Sequence, residues 1–147
     1  MTTTGLSVFD KTLQETNAWL KIMMSHLKTD DRDHAYAVLK GTLHALRDRI
    51  GPENAAHLGA QLPLLLRGAF YEGWHIAGTP TKERHLIGFL EHVANEMPKT
   101  LKEDPEEAAR ATFSVMRQRL DPGEFNKLIR MLPPELRQLW PTATGEK

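Results

Sequence analysis

The sequence predicts an all-α, bundle-like fold of eight helices, built as two four-helix repeats of about 70 residues with pseudo-two-fold symmetry. Three observations predict it. Apolar residues recur at intervals of three and four along most of the 147 residues, which is the spacing of one buried helix face. No stretch alternates apolar and polar residues as strands do. Finally, an offset of 70 positions places helix-start and corner prolines of the two halves opposite each other.

The first half contains the signals for four helices. Apolar spacing predicts the first over Leu6–Leu27. An aspartate, Asp30 or Asp31, can cap the second, which ends at Gly51. Pro52 suits the first position of a short third helix, because proline lacks the amide hydrogen that is unused there. The next proline, Pro63, would clash with the preceding turn, so a sharp corner and a fourth helix are expected from it.

The second half repeats this plan. A helix is expected from Leu86 to Met97, followed by two starts of the same kind. Asp104–Glu107 and Asp121–Glu124 each combine a capping aspartate, a proline and an acidic residue in the first turn. Pro133–Pro134 predicts the second corner, after which Trp140 closes the fold.

The offset of 70 positions also defines the predicted organisation. It pairs identical residues at both corners: Leu62 with Leu132, Pro63 with Pro133, and Arg67 with Arg137. Chance matching of apolar residues would rarely keep these prolines in register. We therefore expect a single domain, 1–147, made of repeat one (6–74), a linker (75–80), repeat two (81–141) and a frayed polar tail (142–147).

Composition narrows the function classes. The 19 basic and 19 acidic residues cancel, whereas nucleic-acid binding relies on a basic surface, so no nucleic-acid partner is expected. There is no cysteine, which removes disulfides, thiolate metal sites and cysteine nucleophiles. Asp10 and Lys11 interrupt any signal peptide, and the apolar run Leu62–Leu66 is far shorter than the ~20 residues that span a bilayer. A cytoplasmic protein without a membrane partner is expected.

One stretch has a recognisable pattern. Nearly the whole chain, and most densely Leu43–Trp74, resembles a widespread bacterial helical family catalogued as a domain of unknown function. The most specific pieces are Ala60–Pro63, Arg67–Gly68 and Tyr71–Trp74, although the second repeat lacks a copy of the last piece. The resemblance implies an all-helical, two-repeat fold and a bacterial origin, and it implies no reaction.

The candidate site lies in this stretch and comprises Arg67, Tyr71, Glu72, Trp74 and His75. In the functional interpretation, the arginine binds an anionic group, the aromatic residues wall a small pocket, and the glutamate acts as base or acceptor. In the structural interpretation, the arginine binds carbonyls freed by the proline corner and the aromatic residues cover the end of the core. Because Arg137 follows its own corner at the same spacing, the structural interpretation is favoured for the arginine.

Two functions remain open. The leading hypothesis is a non-catalytic module that binds a protein partner or itself through the edge around Tyr71–His75, since tryptophan and tyrosine often anchor interfaces. The alternative is a small anionic-ligand binder or enzyme with a pocket around Arg67, Glu72 and Trp74. No catalytic residue, cofactor or metal is expected. The chain has seven histidines. The two that share a face of one predicted helix, His85 and His92, are about 10 Å apart at 1.5 Å per residue, which is too far for both to bind one metal ion.

Overall fold

The structure, a computed structural model, describes residues 4–141, and within that range it contains eight α-helices, one turn of 3-10 helix and no strand. The all-α prediction and its eight helices are confirmed. The predicted frayed tail lies outside the described range. The helices are α1 (Ser7–Leu27), α2 (Arg32–Ile50), α3 (Pro52–Gly59), α4 (Leu64–Tyr71), α5 (Leu86–Glu96), α6 (Pro105–Arg119), α7 (Pro122–Met131) and α8 (Pro134–Arg137), with the 3-10 turn at Ile76–Gly78 inside the predicted linker.

Three helices begin at the aspartates that the sequence indicates. Asp31 accepts a hydrogen bond from the amide of His34 at 3.3 Å. Asp104 accepts from the amide of Glu107 at 3.0 Å. Asp121 accepts from two amides of the first turn of α7. Each such cap stabilises its helix by about 1 kcal/mol, because it satisfies amides that have no partner within the helix.

The two proline corners start helices of different length. Pro63 and Pro133 both precede a helix with the same extended backbone, at ψ 149° and 150°. The helix after Pro63 runs for eight residues, whereas the helix after Pro133 runs for four. After α8 the chain turns to bury Leu139 and Trp140 in the core. The pseudo-two-fold relation of the halves stays a prediction.

Helix α2 lies at the centre of the molecule. It packs against α1, α3 and α4 of the first half and against α5 and α6 of the second. Its apolar residues Val38, Leu39, Leu43 and Leu46 are completely buried. The two halves therefore share one apolar core, and α2 carries side chains from the first half to the helices of the second.

A glycine sets how closely α2 approaches α5. A Cβ atom at Gly41 would lie 2.7 Å from the side chain of Met97 and 3.2 Å from the carbonyl oxygen of Glu96. The end of α5 can lie this close only because residue 41 has no side chain. This close approach brings Glu96 beside the polar residues at the C-terminal end of α2.

Not every residue of the apolar pattern is buried. Phe9, Leu64 and Leu65 belong to apolar runs, yet they are 49%, 46% and 48% exposed. Across residues 4–141, none of the helices combines the length and the hydrophobicity needed to cross a bilayer.

Candidate functional site

Arg67 is bound to the backbone of the preceding corner. Its Nε donates to the carbonyl of Gly59 at 2.9 Å, and its Nη2 donates to the carbonyls of Ala60 and Leu62 at 3.3 and 3.2 Å. These carbonyls lie at and after the end of α3, where the regular helical hydrogen bonds stop. That of Gly59 also accepts from the amide of Leu62 at 3.1 Å. The arrangement is the one that the structural interpretation describes, and a ligand-binding role for Arg67 stays a prediction.

Arg137 makes matching contacts at the second corner. Its Nε donates to the carbonyl of Leu132 at 2.9 Å and its Nη2 to that of Arg130 at 3.2 Å. Leu132 and Arg130 occupy the positions that an offset of 70 gives to Leu62 and Ala60. Arginines at equivalent positions, Arg67 and Arg137, thus stabilise the two proline corners in the same way.

Tyr71 and Trp74 form an aromatic stack at the end of α4. Their ring centroids are 5.4 Å apart and the rings are within 17° of parallel. Tyr71 packs on Gly59, where a Cβ atom would overlap its hydroxyl group. Trp74 lies over the guanidinium of Arg47, at 5.9 Å, and its Nε1 is buried with no hydrogen-bond partner. Both aromatic residues are half-buried against the core.

Glu72 and His75 are exposed on the same segment. Glu72 Oε1 lies 3.0 Å from Lys40 Nζ. The hydrogen bond from Lys40 and its positive charge hold the pKa of Glu72 below its ordinary value. The structure thus brings Tyr71 and Trp74 together, turns Glu72 towards α2, and leaves Arg67 on the corner carbonyls.

Arg47 organises this region and is 3% exposed. Its Nη1 donates to the carbonyls of Phe70 and Glu72 at 2.9 and 3.0 Å, where α4 ends. Its Nε donates to Asp48 Oδ1 at 2.8 Å. One buried guanidinium therefore joins the end of α4, the Trp74 ring and the acidic residue that follows it in α2.

That acidic residue belongs to a cluster of ionisable side chains between α2 and α5. At its centre is His92, whose ring faces three carboxylates. Its Nε2 lies 3.3 Å from Asp48 Oδ2 and 3.6 Å from Glu96 Oε2, and its Nδ1 lies 3.0 Å from Glu83 Oε2. His92, Asp48 and Glu83 have side chains 14%, 13% and 19% exposed, so the cluster is largely shielded from water.

Contacts within the cluster shift the pKa values of three of its members. Hydrogen bonds to Asp48 and then to Glu96, with the charges of Glu83 and Asp48, raise the pKa of His92 to about 10. Hydrogen bonds from His44 and His92 hold the pKa of Glu96 well below its ordinary value. Burial alone would raise the pKa of Asp48, but hydrogen bonds from His92 and Arg47 bring it below its ordinary value. His92 is therefore a cation at neutral pH beside the carboxylates of Asp48 and Glu96, whose pKa values are lowered.

A surface cleft opens beside this cluster. Its volume is about 460 Å³, and its lining includes Tyr36, Lys40, His44, Glu72 and Glu96. The Glu72 carboxylate and the Lys40 ammonium, which pair with each other, stand on its wall. Neither Arg67 nor Trp74 lines it.

The model of one protein family matches residues 16–139, which is most of the chain. That family is described as an uncharacterised conserved protein, DUF2267. The chain belongs to the DUF2267 family. The family resemblance predicted from the sequence is thereby confirmed, while a bacterial origin stays a prediction. The comparison with curated proteins gave no match.

Sequence reasoning missed the cluster of this DUF2267 domain. From the sequence, His85 is the residue that a metal site on one helix would pair with His92. The fold instead places His92 against Asp48 of α2. Asp48, His92 and Glu96 each offer a ligand atom within 4.8 Å of the other two, so they could hold a metal ion. The only sequence signal was the spacing of four between His92 and Glu96, which puts both on one helix face.

Proposed function

We propose that this DUF2267 chain is a non-catalytic helical module that self-associates, with a second copy of the chain as its partner. One observation supports this most directly. Val8, Phe9, Leu64 and Leu65, named here the apolar patch, are 52%, 49%, 46% and 48% exposed. Large apolar side chains that are exposed together in a water-soluble fold commonly mark an interaction surface.

The patch is formed by the first turns of two adjacent helices. The amide of Leu65 donates to Thr12 Oγ1 at 3.0 Å, which places the start of α4 against α1. Val8 and Phe9 precede Thr12 by four and three residues, so they lie on the same side of α1, one turn earlier. The four side chains thus belong to the neighbouring first turns of α1 and α4, and we infer that they form one surface.

A second copy is the partner that best fits this surface. The four side chains of the patch are all apolar, so two copies related by a two-fold axis would bury apolar surface against apolar surface. The formal net charge of the chain is zero, and proteins near zero charge associate more readily because copies do not repel one another. A stable interface buries about 800 Å² on each partner, so four half-exposed side chains form only its centre and a weak dimer is expected.

Sedimentation velocity over micromolar to near-millimolar protein tests the proposal. The wild-type chain should shift from monomer to dimer with concentration. The double variant Leu64→Ser, Leu65→Ser should dissociate roughly tenfold more readily, because truncating central contacts costs more than ~1 kcal/mol. Ile87→Ser, at a residue that is 72% exposed on α5, is the matched control and should behave as wild type. A chain that stays monomeric throughout refutes self-association.

The edge around Tyr71–His75 is the contact surface proposed from the sequence, and the same assay separates it from the patch. His75 and Ile76 are exposed there, Ile76 at 52%. If Ile76→Ser weakens the dimer and the double leucine variant does not, the edge is the interface.

Binding of a small anion is the second candidate function. The cleft beside Glu72 supports it, with Lys40 as the cation available to such a ligand once Glu72 releases it. Titration with acetate or inorganic phosphate, followed by NMR shifts, should then perturb residues of the cleft in wild type and not in Lys40→Met. Equal shifts in both proteins would exclude this site.

A further inference from the structure

Three side-chain atoms of the cluster, one from each of three residues, lie within 4.8 Å of one another. Asp48 Oδ2 and Glu96 Oε2 lie 3.3 and 3.6 Å from His92 Nε2. Ligands at 2.0–2.2 Å from one ion in tetrahedral geometry are about 3.3–3.6 Å apart. The two distances from His92 Nε2 are therefore those of ligands around a single metal ion, and the two carboxylate oxygens lie within 4.8 Å of each other. Asp48, His92 and Glu96 are called the triad below.

Each member of the triad has its second polar atom held from outside. Arg47 Nε donates to Asp48 Oδ1 at 2.8 Å. Glu83 Oε2 lies 3.0 Å from His92 Nδ1, the carboxylate–histidine arrangement that orients metal-bound imidazoles. The glutamate of the triad has its Oε1 3.5 Å from His44 Nδ1. These contacts thus leave one potential ligand atom on each residue of the triad: Asp48 Oδ2, His92 Nε2 and Glu96 Oε2.

Two of the residues that contact the triad, His44 and Glu83, are themselves held by further hydrogen bonds. His44 Nε2 lies 2.7 Å from the carbonyl of Ala69, so this nitrogen donates and the ring orientation is defined. Glu83 Oε1 accepts from the hydroxyl of Thr81 at 2.6 Å, and the carbonyl of Glu83 accepts from Arg49 Nε at 2.6 Å. Ligand orientation would therefore not depend on the metal being present.

We propose that the triad binds one divalent transition-metal ion, with Zn²⁺ as the representative, through one imidazole nitrogen and two carboxylate oxygens. A donor set of nitrogen and oxygen without thiolate suits Zn²⁺ and its neighbours. Three protein ligands leave a coordination position for solvent. This proposal is independent of self-association, because none of its residues belongs to the apolar patch.

Charge and access both favour an ion at this position. The negative charges of Asp48 and Glu96 match those of a dication. The remaining carboxylate, Glu83, accepts the hydrogen of the imidazole. The buried Arg47, paired with Asp48 at 2.8 Å, offsets one of the three negative charges of the cluster. Glu96 is 30% exposed and lines the surface cleft, which provides a route from solvent.

The metal-free cluster places a proton where the ion would sit. The two carboxylate oxygens that lie 3.3 and 3.6 Å from His92 Nε2 are the charges that would attract a dication to the same nitrogen. Binding would displace this proton, as metal binding to histidine does generally.

Isothermal titration of Zn²⁺ into the chelator-treated full chain tests the proposal. One site per chain is expected, and Glu96→Gln and Asp48→Asn should each weaken it at least about tenfold. Glu83→Gln should weaken it by about 10–100-fold, the usual effect of losing the partner of a ligating histidine. His85→Gln is the matched control, since His85 immediately precedes α5, is 82% exposed and lies outside the triad, and it should leave the affinity unchanged.

A spectroscopic arm uses the unaltered chain and so does not depend on any variant folding. On addition of Zn²⁺, the ¹⁵N signal of His92 Nε2 should move to a metal-bound shift at one equivalent. Co²⁺ should give the visible absorption of a four-coordinate site. If Zn²⁺ shifts only the other histidines, or if Glu96→Gln binds as wild type does, the triad is a pure ion-pair network and the proposal is wrong.

Discussion

Replacing Arg47 with methionine removes a buried charge while keeping most of its aliphatic volume. The side chain is 3% exposed, so solvent cannot substitute for it. The carbonyls of Phe70 and Glu72 would lose donors at 2.9 and 3.0 Å, and Asp48 would lose a cation at 2.8 Å. Trp74 would lose the guanidinium beneath its ring.

The expected loss of unfolding free energy in Arg47→Met can be worked out from these contacts. Hydrogen bonds to a charged group contribute about 1.5–3 kcal/mol each, and part of that gain is offset because the buried charge itself is costly. Breaking a buried ion pair from one side typically costs about 3–5 kcal/mol. At about 2–4 °C per kcal/mol for a chain of this size, the melting temperature should fall by roughly 10 °C.

Urea unfolding followed by far-UV circular dichroism measures the loss as a lower midpoint at unchanged slope. Arg119→Met is the control, because Arg119 is exposed at the end of α6. Its effect should stay within about 0.5 kcal/mol. A loss below about 1 kcal/mol for Arg47→Met would refute the assignment of Arg47 as the residue that holds the end of α4.

Arg67→Ala should lower the free energy of unfolding by about 2–3 kcal/mol and Arg137→Ala by about 1–2 kcal/mol, since three and two carbonyl contacts are lost. In chelator-treated protein, the advantage of wild type over His92→Gln should be complete from pH 4.5 to 6.5 and should vanish as the pH rises towards about 10. The ordinary pKa values of histidine, 6.5, and of glutamate, 4.5, bound the range of full stabilisation. Above it the stabilisation is lost as the pH approaches the raised pKa of His92, and below it as the pH falls towards the lowered pKa values of Asp48 and Glu96. Gly59→Ala should cost about 1–3 kcal/mol and alter the near-UV spectrum, because Tyr71 must leave its stack.

For each of these three predictions, one result would contradict the reasoning. Equal losses at the two arginines would mean that the extra contact of Arg67 is not stabilising. A difference between wild type and His92→Gln that does not change with pH would mean that His92 is not held as a cation. Gly68→Ala controls for the glycine change, since a Cβ atom there meets no neighbour and the residue is helical, so it should stabilise slightly. A loss as large as that at Gly59 would contradict the steric argument.

The boundaries of the helices could be predicted because their signals are local. An aspartate followed by proline and an acidic residue specifies a helix start within four residues, as at Asp104 and Asp121. A proline corner such as Pro63 is equally local. Burial was harder, since Leu64 and Leu65 look like core residues but face outward at the first turn of α4.

The candidate site was only partly accessible to sequence reasoning. Tyr71 and Trp74 are three positions apart, so their contact follows from short-range geometry. The surroundings of His92 do not, because Asp48 reaches it across the packing of α2 on α5. That packing depends on the absence of a side chain at Gly41, a requirement visible only once the two helices are placed together.

The cluster around His92 also bears on how the chain finds its native arrangement. Asp48 comes from the first half of the chain, whereas His92 and Glu96 come from the second. Sliding α5 along α2 by one turn would separate these groups by about 5 Å and leave buried charges unpaired, at a cost of several kcal/mol. An apolar helix face tolerates such a slip far better than paired charges do. The cluster therefore favours the native alignment of α5 on α2 over one shifted by a turn.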